Sequence, residues 1–171
     1  MLDGVTVIDL PRSRVDSAQQ HDSALPAFVA GPENRLATVA IEQLLHAKVL
    51  PTDSSWYYPF VLTGPSGSGK SQLAKAITRH WSALLGETDV AYFTAIDFAR
   101  QLHSARSKGQ IELFRQYVAA LKVLVIEDFQ QLPQRTFLER ELRDTLDSLR
   151  EAGSVVVITA QEIACADTGL R

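Results

Sequence analysis

Short apolar segments alternate with longer amphipathic segments along most of this chain. The short segments are rich in β-branched and aromatic residues, which is typical of strands. One of them, Val123–Ile126, is apolar at every position, as expected for a parallel strand buried on both faces. The predicted strands are Phe60–Thr63, Val90–Thr94, Val123–Ile126 and Ser154–Thr159.

Helical periodicity fills the intervals between these strands. The clearest case begins near Phe137 and ends near Ala152, where leucines recur at helical spacing above charged faces. One further predicted helix ends near Lys48. The others span Gln72–Trp81, Asp97–Ser107 and Ile111–Leu121. Alternating strands and helices of this kind predict an α/β sandwich of three layers around a parallel sheet.

The first part of the chain has a different character. Residues 4–10 are β-branched and have the composition of a strand, whereas Pro11–Asp22 is polar and lacks periodicity. We therefore predict an N-terminal extension and linker over residues 1–25, followed by one domain over residues 26–171.

The most specific motif lies between the first strand and the helix that follows it. An eight-residue segment matches G-x-x-x-x-G-K-S, the P-loop, in the strand–loop–helix context that this motif requires. Its glycines allow backbone N–H groups to surround a phosphate at a helix N-terminus. Lys70 would reach the β- and γ-phosphates, and the Ser71 hydroxyl would bind Mg²⁺. The predicted phosphate contacts are Gly64, Pro65, Ser66, Gly67, Ser68, Gly69, Lys70, Ser71 and Gln72.

The alternative for this segment is a glycine-rich turn with a chance lysine, which the full match makes the weaker interpretation. A second feature supports the nucleotide site. Glu127 and Asp128 directly follow a buried strand, and the carboxyl ends of strands are where open α/β sheets bind ligands. We interpret the pair as a Walker B motif, with Glu127 as a metal ligand and both carboxylates as candidate catalytic groups.

Thr159 ends the fourth predicted strand and is a candidate contact to the γ-phosphate. A threonine at a strand end is common without any such role, so both interpretations stay open at this residue. The same holds for an acidic pair after a strand, which often is only solvated. Its position after the P-loop in the chain favours the functional interpretation for Glu127 and Asp128.

Composition adds limits to this prediction. With 17 basic and 20 acidic residues the formal net charge is −3, so contact with nucleic acid requires a local basic surface. The lone Cys165 cannot form an internal disulfide, and the four histidines are scattered. The longest apolar runs are strand-sized and the N-terminus is acidic, so we expect neither a membrane segment nor export but a cytoplasmic location.

Several segments resemble the AAA+ ATPase domain of the bacterial replication initiator DnaA family. Phe28-Val29-x-Gly31-Pro32-x-Asn34-Arg35-Leu36-Ala37 resembles the stretch that helps to form the family's adenine pocket, which makes Phe28 and Val29 candidate nucleotide contacts. Tyr92-Phe93-Thr94-Ala95-x-x-Phe98 resembles its second strand and the start of its inserted helices, and Val123–Gln130 resembles its Walker B segment.

The resemblance implies a P-loop NTPase fold of the AAA+ class, with core strand order 1-4-3-2. It implies ATP or ADP with Mg²⁺ as ligands, other AAA+ protomers as possible partners, and a role in DNA replication initiation in which nucleotide state controls assembly and DNA engagement. We expect the family's lid subdomain and arginine finger to lie outside these 171 residues, and hence ATP turnover to be low or absent. Glu127 departs from the family, which usually has Asp there.

In the family, the inserted helices line a path for single-stranded DNA. Residues 97–122 of this chain carry five basic and two acidic residues, so Arg100, Arg106, Lys108 and Arg115 are candidate DNA contacts. A solvated helix face would have the same composition. The alternative function is therefore an Hda-like or helicase-loader-like regulatory ATPase that binds a protein instead of DNA.

The implied strand order leaves the outer edge of the first strand, residues 60–63, without a partner from the core. Unpaired strand edges are usually covered, charged or paired. The β-branched residues 5–10 are of suitable length and composition to pair there, from the same chain or from a second copy.

Overall fold

The computed structural model describes residues 35–46, 48, 50, 58–134 and 136–161. Strands and helices alternate through most of this part of the chain, as the sequence pattern predicts. A short 3-10 helix, Phe129–Gln131, follows the third strand. In chain order the other elements are α1 (Arg35–His46), β1 (Phe60–Thr63), α2 (Lys70–Leu85), β2 (Val90–Thr94), α3 (Ala95–Ser107), α4 (Ile111–Ala119), β3 (Val123–Glu127), α5 (Thr136–Glu151) and β4 (Val155–Ala160).

The described strands form one parallel sheet with the order β1-β4-β3-β2. This confirms the predicted strand order 1-4-3-2. Leu62 lies opposite Thr159, and Thr94 lies opposite Glu127, so the four strands end at the same side of the sheet. In the described residues β1 pairs only with β4, and its other edge has no strand beside it.

One face of the sheet packs against α1 and α2. The buried side chains of this layer include Trp81, Ile77 and Leu44, none of which has measurable exposure. The sheet contributes alternate residues of each strand, among them Val123 and Val125. This period of two is the geometric consequence of side chains pointing alternately to the two faces of a strand.

The opposite face packs against α3, α4 and α5. Three aromatic rings form edge-to-face contacts there, with centroids 5.9 Å apart for Phe93 and Phe98 and 5.6 Å apart for Phe98 and Phe114. The predicted leucine stripe of α5 faces the same cluster, which confirms that interpretation. Its members are the buried residues Leu138, Leu142, Leu146 and Leu149.

Tyr58 joins the segment before β1 to this second layer. Its hydroxyl donates a hydrogen bond to the carbonyl oxygen of Leu146. Burial, followed by the nearby carboxylate of Asp147, raises the pKa of Tyr58 well above its usual value, so the hydroxyl remains a donor at ordinary pH. The contact ties the start of β1 to α5.

Helix and strand ends differ from the sequence prediction at several places. The prediction Gln72–Trp81 was too short, because α2 begins directly after the left-handed Gly69 and continues to Leu85, before Gly86 with φ 97°. At the other end of the sheet, β4 runs to Ala160 because this residue still pairs with Thr63. The second inserted helix ends at Ala119, short of the predicted Leu121.

Two predictions lie outside the described residues. These are the N-terminal extension over residues 1–25, with its strand-like residues 5–10, and the adenine contacts Phe28 and Val29. Of the helices that the structure describes, none has the length and apolar character needed to cross a membrane.

Candidate nucleotide-binding site

The loop between β1 and α2 has the backbone conformation that its glycines make possible. Gly67 and Gly69 have φ values of 81° and 88°, in the left-handed region that side chains with a Cβ rarely adopt. The Leu73 N–H donates to the carbonyl oxygen of Gly69 at 3.0 Å, so the helix starts as soon as the loop ends. The free N–H groups of the first helical turn therefore adjoin the loop.

Lys70 closes this loop from inside the motif. Its Nζ donates to the carbonyl oxygens of Gly64 and Pro65, both at 2.7 Å, and to Ser68 Oγ at 3.2 Å. An ammonium group has three donors, and here all three are used within six residues of sequence. The positive charge therefore lies at the loop itself, where an anion would bind.

The glycines of the loop differ in how closely other atoms surround them. A Cβ added at Gly67 or Gly69 would meet no atom within 4 Å, whereas one added at Gly64 would lie 3.0 Å from Ser68 Oγ. Residues 65–68 are exposed, as are Ser71 and Gln72 in the first turn of α2. The outer side of the loop is thus open to a ligand, and its base at Gly64 is tightly packed.

Glu127 ends β3 on the face of the sheet that α2 covers. Its position two residues after Val125, which belongs to the α2-side core, places it on that face. The side chain is buried, with 7% exposure, and the Tyr92 hydroxyl donates a hydrogen bond to Glu127 Oε2. A buried carboxylate needs such a partner.

Asp128 and Thr159 are joined directly. Asp128 has φ 55° and ψ 49°, a left-handed conformation unusual for a residue other than glycine. The fully buried Thr159 accepts a hydrogen bond from the Asp128 backbone N–H through Oγ1 at 3.0 Å. Gln130 Nε2 donates to Asp128 Oδ1 at 3.3 Å. The threonine thus fixes the turn that follows the Walker B strand.

The sheet places the two predicted halves of the site, the phosphate loop and the Walker B carboxylates, at the carboxyl ends of its strands. We call these strand ends the nucleotide edge of the sheet. The loop follows β1, Thr159 lies on β4, and Glu127 ends β3, so the three occupy successive strands. With strands about 4.8 Å apart, β1 and β3 are separated by about 10 Å, a gap that phosphate groups and a hydrated cation can fill. The donor types at this edge, a serine hydroxyl and carboxylate oxygens, are hard ligands that suit Mg²⁺.

Comparison with known proteins establishes the family. The family model for the bacterial DnaA ATPase domain matches residues 20–166, which is most of the chain. The chain belongs to the bacterial DnaA ATPase-domain family.

Full-length DnaA proteins show the same relationship at moderate identity. The chromosomal replication initiator protein DnaA of Synechocystis sp. is 29% identical over 144 residues, which is 84% of this chain and 31% of that protein. That of Desulfatibacillum aliphaticivorans is 31% identical over 153 residues, or 89% of this chain and 33% of that protein. This chain therefore spans about a third of the length of these DnaA relatives.

A solved DnaA structure has the same fold. The AMPPCP-bound DnaA from Aquifex aeolicus superimposes with a TM-score of 0.66 at 25% identity, over 78% of this chain and 40% of that chain. The P-loop NTPase fold of the AAA+ class, predicted from the resemblance to DnaA, is thereby confirmed.

The four cationic residues proposed for DNA contact lie on α3, on α4 and in the turn between them. These helices pack on the face of the sheet opposite to α2 in this DnaA-family domain. Arg100 pairs with Asp97 at 2.9 Å, both side chains being largely exposed. The Arg106 guanidinium lies 4.0 Å from the centroid of the Phe137 ring, a cation–π contact. In the described residues Lys108 is exposed and forms no ion pair.

Arg115 has a different environment from the other three. Its Nε and NH2 groups donate to the two carboxylate oxygens of Glu141 at 3.0 and 2.5 Å, and NH1 donates to Glu112 at 2.5 Å. Glu141 is 5% exposed. The hydrogen bonds to Glu141 raise the pKa of Arg115 further above its usual value, against the opposing effect of burial. This guanidinium links α4 to α5.

Sequence reasoning missed two residues of this DnaA-family domain. From the sequence, Tyr92 was assigned only to a strand. Period-two alternation places it on the same face of the sheet as Val90, the face that α2 covers. Glu141 was not singled out from the sequence. Its spacing of three from Leu138 puts it on the apolar stripe, and a carboxylate on such a stripe indicates a buried partner.

Proposed function

We propose that this chain is the ATP- and ADP-binding module of a DnaA-type replication initiator and that it binds the nucleotide together with Mg²⁺. The observation that carries the proposal is the loop of residues 64–71, whose lysine ammonium is held at the loop by three internal hydrogen bonds. Left-handed glycines and the start of α2 add N–H donors and a favourable helix dipole.

Phosphate binding exchanges some of these internal contacts for stronger ones. The carbonyl oxygens bonded to Lys70 are neutral, whereas a phosphate oxygen carries negative charge, so the ammonium gains a charge–charge attraction in addition to the hydrogen bond. The relative from Aquifex aeolicus binds AMPPCP, an ATP analogue, on the same fold. This supports a nucleoside triphosphate or diphosphate as the ligand.

The proposed metal position lies between the loop and β3. Ser71 is the second residue of α2, and Glu127 ends β3. The hydroxyl of Ser71 and one carboxylate oxygen of Glu127, directly or through water, would complete an oxygen shell with the phosphates. When bound, Mg²⁺ would neutralise charge on the β- and γ-phosphates. Asp128, next to Glu127, is the proposed group that orients water.

Equilibrium titration with a fluorescent ATP analogue in the presence of Mg²⁺ tests the assignment. We expect Lys70→Ala to weaken binding by tenfold or more, on the order of one lost charge-assisted hydrogen bond of about 1.5–3 kcal/mol. Lys75→Ala is the matched control, because Lys75 is an exposed lysine of the same helix outside the loop. It should bind as the unchanged chain does.

Equal effects of the two substitutions would contradict the phosphate assignment, because general electrostatic attraction would then account for binding. Displacement by unlabelled ADP and ATP, but not by AMP, is the further expected result. It follows from a site whose contacts concentrate on the β- and γ-phosphates.

The wider role that we propose is control of assembly and of DNA engagement by the bound nucleotide, as the family membership suggests. The surroundings of the four candidate DNA-contact residues support a second candidate function. Arg100 and Arg115 are engaged in ion pairs, so among the described residues of this group only Arg106, which contacts an aromatic ring, and Lys108 keep an unpaired charge for a phosphate backbone. This favours the alternative function, a regulatory ATPase that binds a protein partner. Weak binding of single-stranded DNA would support that alternative.

A further inference from the structure

Glu127 is held by a residue that no sequence motif of the nucleotide site includes. Tyr92 lies opposite Val125 in the β2–β3 register, two residues before Glu127. Two residues of a strand span about 6.6 Å, which is close to the length of a tyrosine side chain. The Tyr92 hydroxyl therefore reaches the level of Glu127, where it donates to Oε2.

The two oxygens of this carboxylate have different surroundings. Oε2 accepts from Tyr92, whereas no hydrogen bond between described residues involves Oε1. The Tyr92 ring packs against the α2-side core, so its position is fixed by contacts that do not depend on any ligand. A phenol fixed by packing thus restrains a carboxylate whose other oxygen accepts no hydrogen bond from the described residues.

We propose that Tyr92 is a positioning residue for the metal at this site, and this rests on the proposed function. By occupying Oε2, its hydroxyl selects one orientation of the Glu127 carboxylate and presents Oε1 to the cation or to a water bound to it. Hydrogen-bond partners of metal ligands commonly act in this way, and their loss costs about 10- to 100-fold in metal affinity.

Side-chain length is part of the inference. An aspartate at position 127 would be shorter by one methylene, about 1.5 Å, so its carboxylate would lie farther from the Tyr92 hydroxyl and their hydrogen bond would be weaker. Glutamate and tyrosine therefore work as a pair. In a chain with Asp at this position, Tyr92 should have a smaller effect on the metal.

The experiment measures the ratio of ADP affinities with and without Mg²⁺ in four chains: unchanged, Tyr92→Phe, Glu127→Asp, and the double variant. Tyr92→Phe keeps the ring and removes only the hydroxyl. We expect it to reduce the Mg²⁺-dependent gain in affinity by about tenfold, with the metal-free affinity unchanged. In the Glu127→Asp background, Tyr92→Phe should reduce the Mg²⁺-dependent gain by less than it does in the unchanged chain.

Tyr117→Phe is the matched control, since Tyr117 is a half-buried tyrosine on α4, on the other side of the sheet. It should leave the ratio unaltered. A readout without nucleotide or metal comes from the ¹³C carboxyl resonance of Glu127, identified by its loss in Glu127→Gln. We expect this resonance to move in Tyr92→Phe and to stay in Tyr117→Phe.

The outcomes separate the two proposals. If the unchanged chain binds no nucleotide under either condition, the proposed function fails. If it binds with a gain from Mg²⁺ that Tyr92→Phe leaves equal or increases, only the positioning role fails. Equal losses of affinity with and without metal would likewise overturn it, because they would show that Tyr92 merely supports the local fold. An additive loss in the double variant would also refute the pairing.

Discussion

Replacing Arg115 by Met should destabilise this domain more than replacing Arg100, whose ion pair is exposed on both sides. The substitution keeps much of the aliphatic side chain but removes two charge-assisted hydrogen bonds to Glu141. Glu141 is 5% exposed, so its carboxylate would be left in the protein interior without its cation. The cost of such a group is a desolvation penalty that the native contact offsets.

The magnitude follows from the exposure of the two partners. Breaking a fully buried ion pair costs about 3–5 kcal/mol. The Arg115 side chain is 44% exposed, so water can enter its place and solvate part of Glu141. We therefore expect a loss of about 2–3 kcal/mol, a large share of the 5–15 kcal/mol typical of a folded domain.

Urea unfolding followed by far-ultraviolet circular dichroism measures this loss. Arg100→Met is the matched control, because the Arg100–Asp97 pair is 71% and 45% exposed and such pairs contribute about 0–1 kcal/mol. The double variant Arg115→Met with Glu141→Leu removes both charges. It should recover most of the lost stability, since an apolar pair carries no desolvation penalty.

Two results would refute the reasoning. One is an Arg115→Met chain as stable as Arg100→Met, which would mean that Glu141 is solvated in solution. The other is a double variant less stable than Arg115→Met alone. The cost of Arg115→Met should also be constant between about pH 6 and pH 9, because a base with a raised pKa loses its contribution only as pH rises through the folded-state value, far above that range.

Two further predictions concern Thr159 in the sheet and the basic residues at the end of α3. Thr159→Val should destabilise the domain by about 1 kcal/mol in urea unfolding, because the half-buried Asp128 N–H loses its acceptor; Thr159→Ser should not, and a neutral Val variant would contradict the role of the hydroxyl. Reversing charge at Arg106 and Lys108 should weaken any binding of single-stranded DNA most at low salt, measured by fluorescence anisotropy. Unchanged DNA affinity in this variant would exclude these helices as the contact surface.

The phosphate loop could be predicted from the sequence because its chemistry is local. Residues 64–71 are consecutive, and the glycine conformations, the lysine contacts and the helix start all arise within this segment. The strands were equally accessible, since burial on both faces leaves a continuous apolar run such as Val123–Ile126. The strand order required more than periodicity, and it came from the resemblance to DnaA.

Element ends were predicted less well, for a physical reason that β4 illustrates. Its last residue, Ala160, belongs to the sheet only because Thr63 of another segment pairs with it. A strand's own composition does not determine how far its neighbour extends. The same dependence on a partner applies to Glu127, which is the last residue of β3 because it pairs with Thr94.

What only the tertiary structure decided are the partners of charged and polar side chains. Tyr92 and Glu127 are 35 residues apart, and Arg115 and Glu141 are 26 apart. Strand register brings the first pair together, and the packing of α4 on α5 brings the second. The sequence by itself determined which residues carry charge and where the phosphate loop lies. Folding decided which charges remain available for a ligand, because a charge buried next to a partner is no longer free to bind another.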